Sequence, residues 1–177
     1  MKEAIQVRDH AGHIMDMLPK GLLLNTVGEK FNSMIIGWGD LGRLWSRPSF
    51  LVYVRDSRYT KAQLDAAGEF TVSVPMEKPD PEIVRICGSL SGRDIDKVEA
   101  AHLTLEEPEL IRTPGIREFP LTLECRVLYS QKMDHTRLPQ EIQDQYYPPV
   151  TDDPSARANH DDHTLYAGEI VCAYMIR

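Results

Sequence analysis

Residues 121–129 read Leu-Thr-Leu-Glu-Cys-Arg-Val-Leu-Tyr, and this stretch decides the fold class. Its odd-numbered positions are all apolar and would lie on one face of a β-strand. Thr122, Glu124 and Arg126 would lie on the opposite face. The stretch therefore predicts a strand with one face in the core and one polar face.

Five further strands are predicted outward from this one, at Gly21–Val27, Phe31–Trp38, Ser49–Arg55, Glu69–Val74 and Thr164–Met175. Short helices are predicted at Thr60–Ala67, Glu82–Leu90 and Asp94–Ala101, with Thr60 and Asp94 as caps. Because the strands do not alternate regularly with long helices, a doubly wound parallel sheet fits poorly. The pattern favours a mainly β fold, an antiparallel barrel with short helical insertions.

The length of 177 residues predicts one domain over 1–177. Residues 134–162 turn polar and proline-rich, which predicts an exposed excursion with a short helix near Gln140–Tyr146. The sequence leaves open whether this excursion covers a cleft, reaches across a dimer or is disordered.

Composition excludes several classes of partner. The formal net charge is −7, which does not favour nucleic acid as a partner. No apolar run approaches the roughly 20 residues that span a bilayer, and the N-terminus lacks the apolar stretch of a signal peptide, so we expect no membrane association. The three cysteines, Cys87, Cys125 and Cys172, are widely spaced, which fits reduced thiols in the cytoplasm.

Residues 37–42, Gly-Trp-Gly-Asp-Leu-Gly, match the pattern G-x-G-x-x-G of dinucleotide-binding folds. That fingerprint requires a helix to begin on the glycines, because the helix N-terminus holds the pyrophosphate. Pro48 follows closely and a strand comes next, so no helix of useful length fits. We interpret the segment as a glycine-rich turn between two strands.

A phosphate site is suggested at Arg55, Ser57, Arg58 and Thr60. These residues stand where a buried strand ends and a helix begins. Guanidinium groups, hydroxyls and the amides of a first helical turn are all suited to a phosphate dianion. From the residues alone, a solvated surface turn with an ordinary helix cap is an equally good interpretation.

An ordered set of motifs resembles the flavin reductase-like family, especially its flavoredoxin-like branch. The motifs run over most of the chain, at 32–38, 45–50, 53–60, 69–72, 87–97, 121–125 and 163–170. The resemblance implies an FMN-binding split barrel, a six-stranded antiparallel Greek-key barrel that forms a homodimer. It also implies that the segment from Arg55 to Thr60 binds the FMN phosphate.

By the same resemblance, the strand Asn32–Ile36 lies along the isoalloxazine ring. Asn32 and Ser33 would offer side-chain hydrogen bonds, and Met34, Ile35, Ile36 and Trp38 an apolar wall. Alternation allows only one parity of side chains to face a ligand, so some of these residues must belong to the barrel core.

Two further segments match family positions. Ser91 and Lys97 are expected at the cofactor, and Arg93 at the cofactor or at the phosphates of a donor; a solvated helix start is the alternative. His163 is expected near the open flavin face, where it could orient a nicotinamide or protonate reduced flavin; an ordinary loop histidine is the alternative. We name no other catalytic residue. The run His160-Asp161-Asp162-His163 is interpreted as a charged loop and not as a metal site.

Three functions remain open at this stage. The protein could be an NAD(P)H-dependent flavin reductase, or an electron carrier that holds FMN and exchanges electrons with another redox protein. It could also be a module that binds a flavin or another phosphorylated ligand without turnover. The flavin would carry the redox chemistry in the first two cases, so no side-chain nucleophile is required.

Overall fold

The computed structural model describes residues 1–148 and 161–177. Its strands are β1 (Lys2–Ala4), β2 (Leu22–Val27), β3 (Phe31–Ile36), β4 (Gly39–Leu44), β5 (Arg47–Arg55), β6 (Glu69–Val74), β7 (Leu105–Glu106), β8 (Gly115–Ile116), β9 (Leu121–Lys132) and β10 (His163–Ile176). Its helices are α1 (Ala11–Met17), α2 (Tyr59–Ala67), α3 (Pro81–Ser89), α4 (Lys97–Ala100) and α5 (Gln140–Tyr146), joined by short 3₁₀ turns.

Eight strands form one antiparallel sheet in the order β3-β2-β6-β9-β10-β5-β4, and β1 pairs with the end of β10. The prediction of a mainly β, antiparallel fold with short helices is confirmed, and all six predicted strands are present. Two strands, β1 and β4, come in addition. The path from β3 to β4 is not closed by pairing between those two strands within the described residues, so the sheet is an open, curved version of the predicted barrel.

Strand β9 differs from the half-buried strand that its alternation predicts. Leu121, Leu123 and Cys125 are fully buried in the main core, but Thr122 and Glu124 on the other face are fully buried too. The segment between β7 and β8 covers that face, and the Glu124 carboxylate accepts hydrogen bonds from its backbone amides at 2.6 and 2.8 Å. A buried carboxylate is tolerated because those amides satisfy it.

Residues 39–42 of the glycine-rich segment lie in strand β4, and Gly37 and Trp38 connect β3 to it, so the segment as a whole is not the turn that its composition suggests. At Gly39 a Cβ would lie 3.0 Å from the Leu51 carbonyl oxygen of β5, so the glycine permits close pairing of the strands. The turn comes later, at Trp45 and Ser46, which both have positive φ, 45° and 62°. No helix begins on these glycines, which agrees with the rejection of the dinucleotide fingerprint.

Helix starts are also shifted from the predicted caps. Helix α2 begins after Arg58, and Arg58 makes no side-chain cap, so Thr60 is not the capping residue. Helix α4 is capped by Asp96 instead of Asp94. The predicted stop of α2 at Gly68 is confirmed, since this glycine adopts the left-handed conformation with φ of 65°. The predicted helix Gln140–Tyr146 is confirmed as α5.

Within the parts of the chain described above, no helix combines the length and apolar character needed to cross a membrane.

Candidate functional site

Strand β3 lies at one end of the sheet and pairs only with β2, which leaves its outer edge free for other contacts. The Ser33 carbonyl points to that outer edge, where it accepts a hydrogen bond from Lys97 Nζ at 2.7 Å. In an antiparallel strand the N–H and C=O of one residue point to the same side, and the side alternates along the chain. The N–H and C=O of Ile35 therefore also face outward, beside the cavities described next.

A first cavity of about 240 Å³ lies between β3, the N-terminus of α2 and the segment from α3 to α4. We call it the basic cavity. It is lined by Asn32, Met34, Ile35, Ser57, Arg58, Tyr59, Thr60, Cys87, Gly88, Ser89, Leu90, Ser91, Gly92, Arg93 and Lys97.

Three cationic side chains line the basic cavity, and they differ in burial and in hydrogen bonding. Lys97 is only 4% exposed, and its ammonium donates to the carbonyls of Ser33 and Cys87; burial lowers the pKa of Lys97. Arg93 donates to the Ser57 carbonyl at 3.0 Å and lies over the Tyr59 ring. Arg58 is exposed and its guanidinium has no hydrogen-bond or ion-pair partner among the described residues, which leaves it free for an anion.

Asn32 brings an unpaired acceptor to the same cavity. Its side chain is 1% exposed, and its Nδ2 donates to Thr60 Oγ1 at 2.8 Å. Its Oδ1 has no hydrogen-bond partner among the described residues. A buried polar atom without a partner is unfavourable by roughly 1–3 kcal/mol, so the atom is suited to a donor on a bound molecule. Gly92 packs against it closely: a Cβ there would lie 2.1 Å from Oδ1.

A second cavity of about 170 Å³ adjoins the first, because both are lined by Met34, Ile35 and Arg58. We call it the middle cavity. Its other walls are Ile36, Gly37, Trp38, Tyr53, Arg55 and His163.

His163 is a neutral imidazole in the wall of the middle cavity. Burial, and then the positive charge of Arg55, lower the pKa of His163 to about 4. Its Nδ1 is hydrogen-bonded to the Tyr147 hydroxyl at 2.6 Å, and its ring lies 5.0 Å from that of Trp38. At neutral pH it can therefore take part in hydrogen bonding without adding positive charge.

Arg55 joins the site to the two described ends of the excursion. Its guanidinium, which is 6% exposed, donates to the carbonyls of Asp161 and Tyr146 at 2.9 and 3.4 Å. Asp161 in turn accepts from the Ser57 backbone amide at 2.6 Å. Asp162 is hydrogen-bonded to His135. Two members of the charged run 160–163 thus hold loops together, and His160 lies outside the described residues.

The structure brings nearly all the residues that the sequence singled out into these two adjoining cavities. Asn32, Met34, Ile35, Ser57, Arg58, Thr60, Ser91, Arg93 and Lys97 line the basic cavity, and Ile36, Trp38, Arg55 and His163 line the middle one. Ser33 lines neither, since its hydroxyl donates to Asn25 Oδ1 inside the fold. Arg55 lines the middle cavity and not the basic one, and of the residues predicted around the phosphate only Arg58 lines both.

Sequence reasoning missed several wall residues. Tyr53, in the predicted strand Ser49–Arg55, and Gly92, between two predicted helices, are examples. The close contact of Gly92 with Asn32 joins residues 60 positions apart, which no local pattern reveals.

A family model, described as flavin reductase-like domain, matches residues 15–177. The chain belongs to the flavin reductase-like family. An uncharacterised protein of Archaeoglobus fulgidus is 36% identical over 116 residues, which are 64% of this chain and 64% of the archaeal one. The alignment thus spans less than two thirds of that relative.

Solved structures of flavin reductase-like folds superpose well. The flavoredoxin of Methanosarcina acetivorans matches with a TM-score of 0.62 and 26% identity, over 89% of this chain and 68% of its own. An NADH:FAD oxidoreductase of Streptomyces globisporus matches with a TM-score of 0.65 and 16% identity, over 98% of this chain and 87% of its own. These likenesses agree with the split-barrel fold predicted from the sequence.

Proposed function

We propose that this flavin reductase-like protein is an FMN-binding oxidoreductase. The observation that carries the proposal is the pair of adjoining cavities along the free edge of β3. One end is basic, with Arg58 unpaired by any described residue, and the other combines the apolar side chains of Met34, Ile36 and Trp38 with Arg55 and a neutral His163. A flavin mononucleotide has the same polarity, a phosphate at one end and a ring system at the other.

The phosphate would bind in the basic cavity. Arg58 offers bidentate hydrogen bonds, and the first amides of α2 have no side-chain cap to satisfy them. Lys97 adds a buried positive charge, with two of its three donors engaged by carbonyls. The unpaired Asn32 Oδ1 would accept from a hydroxyl of the ribityl chain. The basic cavity thus fits a phosphate monoester with a hydroxylated chain.

The ring would lie against the middle cavity. The outward N–H and C=O of Ile35 supply a donor and an acceptor for the polar edge of a flavin, and Met34 and Trp38 an apolar surface. The bound flavin would supply electron and hydride transfer. The chain's own groups would orient it and hold hydrogen bonds at its edge, with neutral His163 available as a donor or acceptor.

The electron donor would be NAD(P)H or another redox protein. The similarity to an NADH:FAD oxidoreductase favours a nicotinamide donor, and the similarity to a flavoredoxin favours a protein partner. FAD in place of FMN is an outcome that the binding experiment below distinguishes. A module that binds flavin without reduction is the alternative function.

A homodimer is part of the proposal. Trp45 is 64% exposed at the tip of the β4–β5 hairpin, and its ring lies 6.2 Å from that of Tyr129, which is also exposed. A clustered apolar surface of this kind is typical of a protein interface. The three cysteines are all unpaired thiols, which supports a reducing compartment such as the cytoplasm.

Flavin binding is tested by titrating the purified protein with FMN, FAD and riboflavin and following flavin fluorescence. We expect FMN to bind about tenfold or more tighter than riboflavin, since a charge-assisted hydrogen bond contributes roughly 1.5–3 kcal/mol. Arg58→Gln should remove most of that difference. Arg43→Gln, an exposed arginine on β4, is the matched control and should preserve it.

Absence of flavin binding, or an unchanged FMN-to-riboflavin ratio in Arg58→Gln, would contradict the proposal. Anaerobic addition of NADH and then NADPH to the FMN complex decides the donor. Loss of the flavin absorbance with either one indicates a reductase, and loss with dithionite alone indicates an electron carrier. If dithionite does not reduce the bound flavin, the protein is a module that binds flavin without turnover.

A further inference from the structure

A third cavity, of about 560 Å³, lies beyond the middle cavity and shares Gly37, Trp38 and Tyr53 with it. We call it the aromatic cavity. One wall comes from the excursion, which contributes Leu138, Ile142 and Tyr146. Its volume falls in the range of small-molecule sites, about 300–1,000 Å³.

The walls of the aromatic cavity are apolar or aromatic, apart from one carboxylate. Asp40 is that carboxylate, and its Oδ2 accepts a hydrogen bond from the Tyr53 hydroxyl at 2.7 Å. Burial and Asp40 raise the pKa of Tyr53 to about 12, so the phenol keeps its proton. Among the described residues that line this cavity there is no lysine or arginine, whereas the basic cavity has three such cations.

This contrast in charge indicates the occupant. A phosphate placed in the aromatic cavity would face Asp40 and no lining cation, so a phosphorylated molecule is disfavoured there. A flat apolar molecule would instead pack against the ring of Trp38 and the side chains of Leu138 and Ile142. Asp40 Oδ1, at the rim, could accept a hydrogen bond from a hydroxyl or amide of such a molecule.

We infer that the aromatic cavity binds an uncharged planar aromatic molecule of one or two rings, next to the flavin ring site. The binding site stands on its own geometry. Its role as the place of the electron acceptor rests on the proposed function. Because α5 and Leu138 belong to the excursion, that segment contributes to the choice of this molecule.

The test is calorimetric titration at pH 7 with 2-naphthol, which is neutral, and 2-naphthoate, which has the same rings and a negative charge. We expect 2-naphthol to bind about tenfold or more tighter than 2-naphthoate, because Asp40 repels the anion. Ile142→Glu should weaken 2-naphthol binding by about tenfold or more. Leu110→Glu, at an apolar residue 54% exposed outside the cavity, should leave it unchanged.

A second variant, Leu138→Asn, guards against a fold defect from the charge in α5, and circular dichroism checks each protein. Equal binding of the two naphthalenes, no binding of 2-naphthol, or full binding by both cavity variants overturns the inference. Titration with FMN is run in parallel. FMN binding without 2-naphthol binding refutes only this inference, and 2-naphthol binding without FMN binding refutes only the proposed function.

Discussion

The basic cavity lies at one end of the site and the aromatic cavity at the other, and different parts of the chain form them. The basic cavity is shaped by tight packing and by charges fixed on regular elements, such as Lys97 on the carbonyl of Ser33 and Gly92 against Asn32. The aromatic cavity depends on contacts from the excursion. Tyr147 of the excursion is hydrogen-bonded to His163 in the wall of the middle cavity. The basic cavity is built along the edge of the sheet, whereas the aromatic cavity takes one wall from the excursion.

The difference shows where affinity and selectivity can change separately. Residues of the basic cavity lie on β3, on helices α2, α3 and α4 or in the short segments that join these elements, so a change there can alter stability and anion binding together. Residues of the excursion contact the site from outside the sheet, so their replacement can alter the ligand without disturbing the core. The three variants below test this difference at the His163 imidazole, at Gly92 and at the Tyr147 phenol.

The largest expected effect is the loss of stability on acidification through His163. Its pKa is about 4 in the folded protein against about 6.5 for a free histidine. Between these values the unfolded state binds more protons, so the free energy of unfolding falls as pH falls from 6.5 towards 4. The expected loss between pH 7 and pH 4 is about 3 kcal/mol. Urea unfolding at several pH values measures it.

His163→Gln should flatten this dependence, because glutamine does not titrate. His102→Asn is the matched control, since His102 is exposed and asparagine tolerates its positive φ of 50°. The control should retain the slope. A slope that persists in His163→Gln would show that other groups titrate in this range and that the imidazole is not held neutral by the fold.

A smaller effect is expected from Gly92→Ala in the basic cavity. The new methyl would meet Asn32 Oδ1 at 2.1 Å and the Tyr59 ring at 3.1 Å, with no positive φ involved. Overpacking of this kind typically costs about 1–3 kcal/mol, and we expect about 2 kcal/mol with weaker FMN binding. Gly42→Ala on β4 is the control, because nothing lies within 4 Å of its Cβ position. Equal stability of both variants would contradict the close contact.

The sequence predicts the sheet better than the site. Six strands follow from alternation, because period-two patterns report directly on buried faces. Strand β4 could not be predicted, since Gly39 is explained only by the close approach of the Leu51 carbonyl from β5. The polar face of β9 seemed exposed because nothing local reveals that a distant loop covers Glu124.

In the site, the basic cavity could be anticipated because Arg58, Thr60 and Lys97 lie in short segments whose chemistry suits phosphate. The position of Arg55 in the folded chain could not be predicted from its neighbours. Its partners, Tyr146 and Asp161, are 91 and 106 positions away, so its place in the middle cavity is a property of the folded chain.

The smallest expected effect is that of Tyr147→Phe in the wall of the aromatic cavity. The variant removes the hydrogen bond to His163 Nδ1 but keeps the ring, which stacks on His135 with centroids 4.9 Å apart. A typical hydrogen bond contributes about 1 kcal/mol, so urea unfolding should show a loss near that value. Tyr129→Phe is the control, because its hydroxyl bonds an exposed side chain, that of Gln131, and should change stability little. A loss equal in both variants would mean that the Tyr147 hydroxyl does no more than a surface phenol. A loss confined to Tyr147→Phe, with faster amide exchange in α5, would show that this hydrogen bond, beside those of Arg55, helps to hold α5 against the middle cavity.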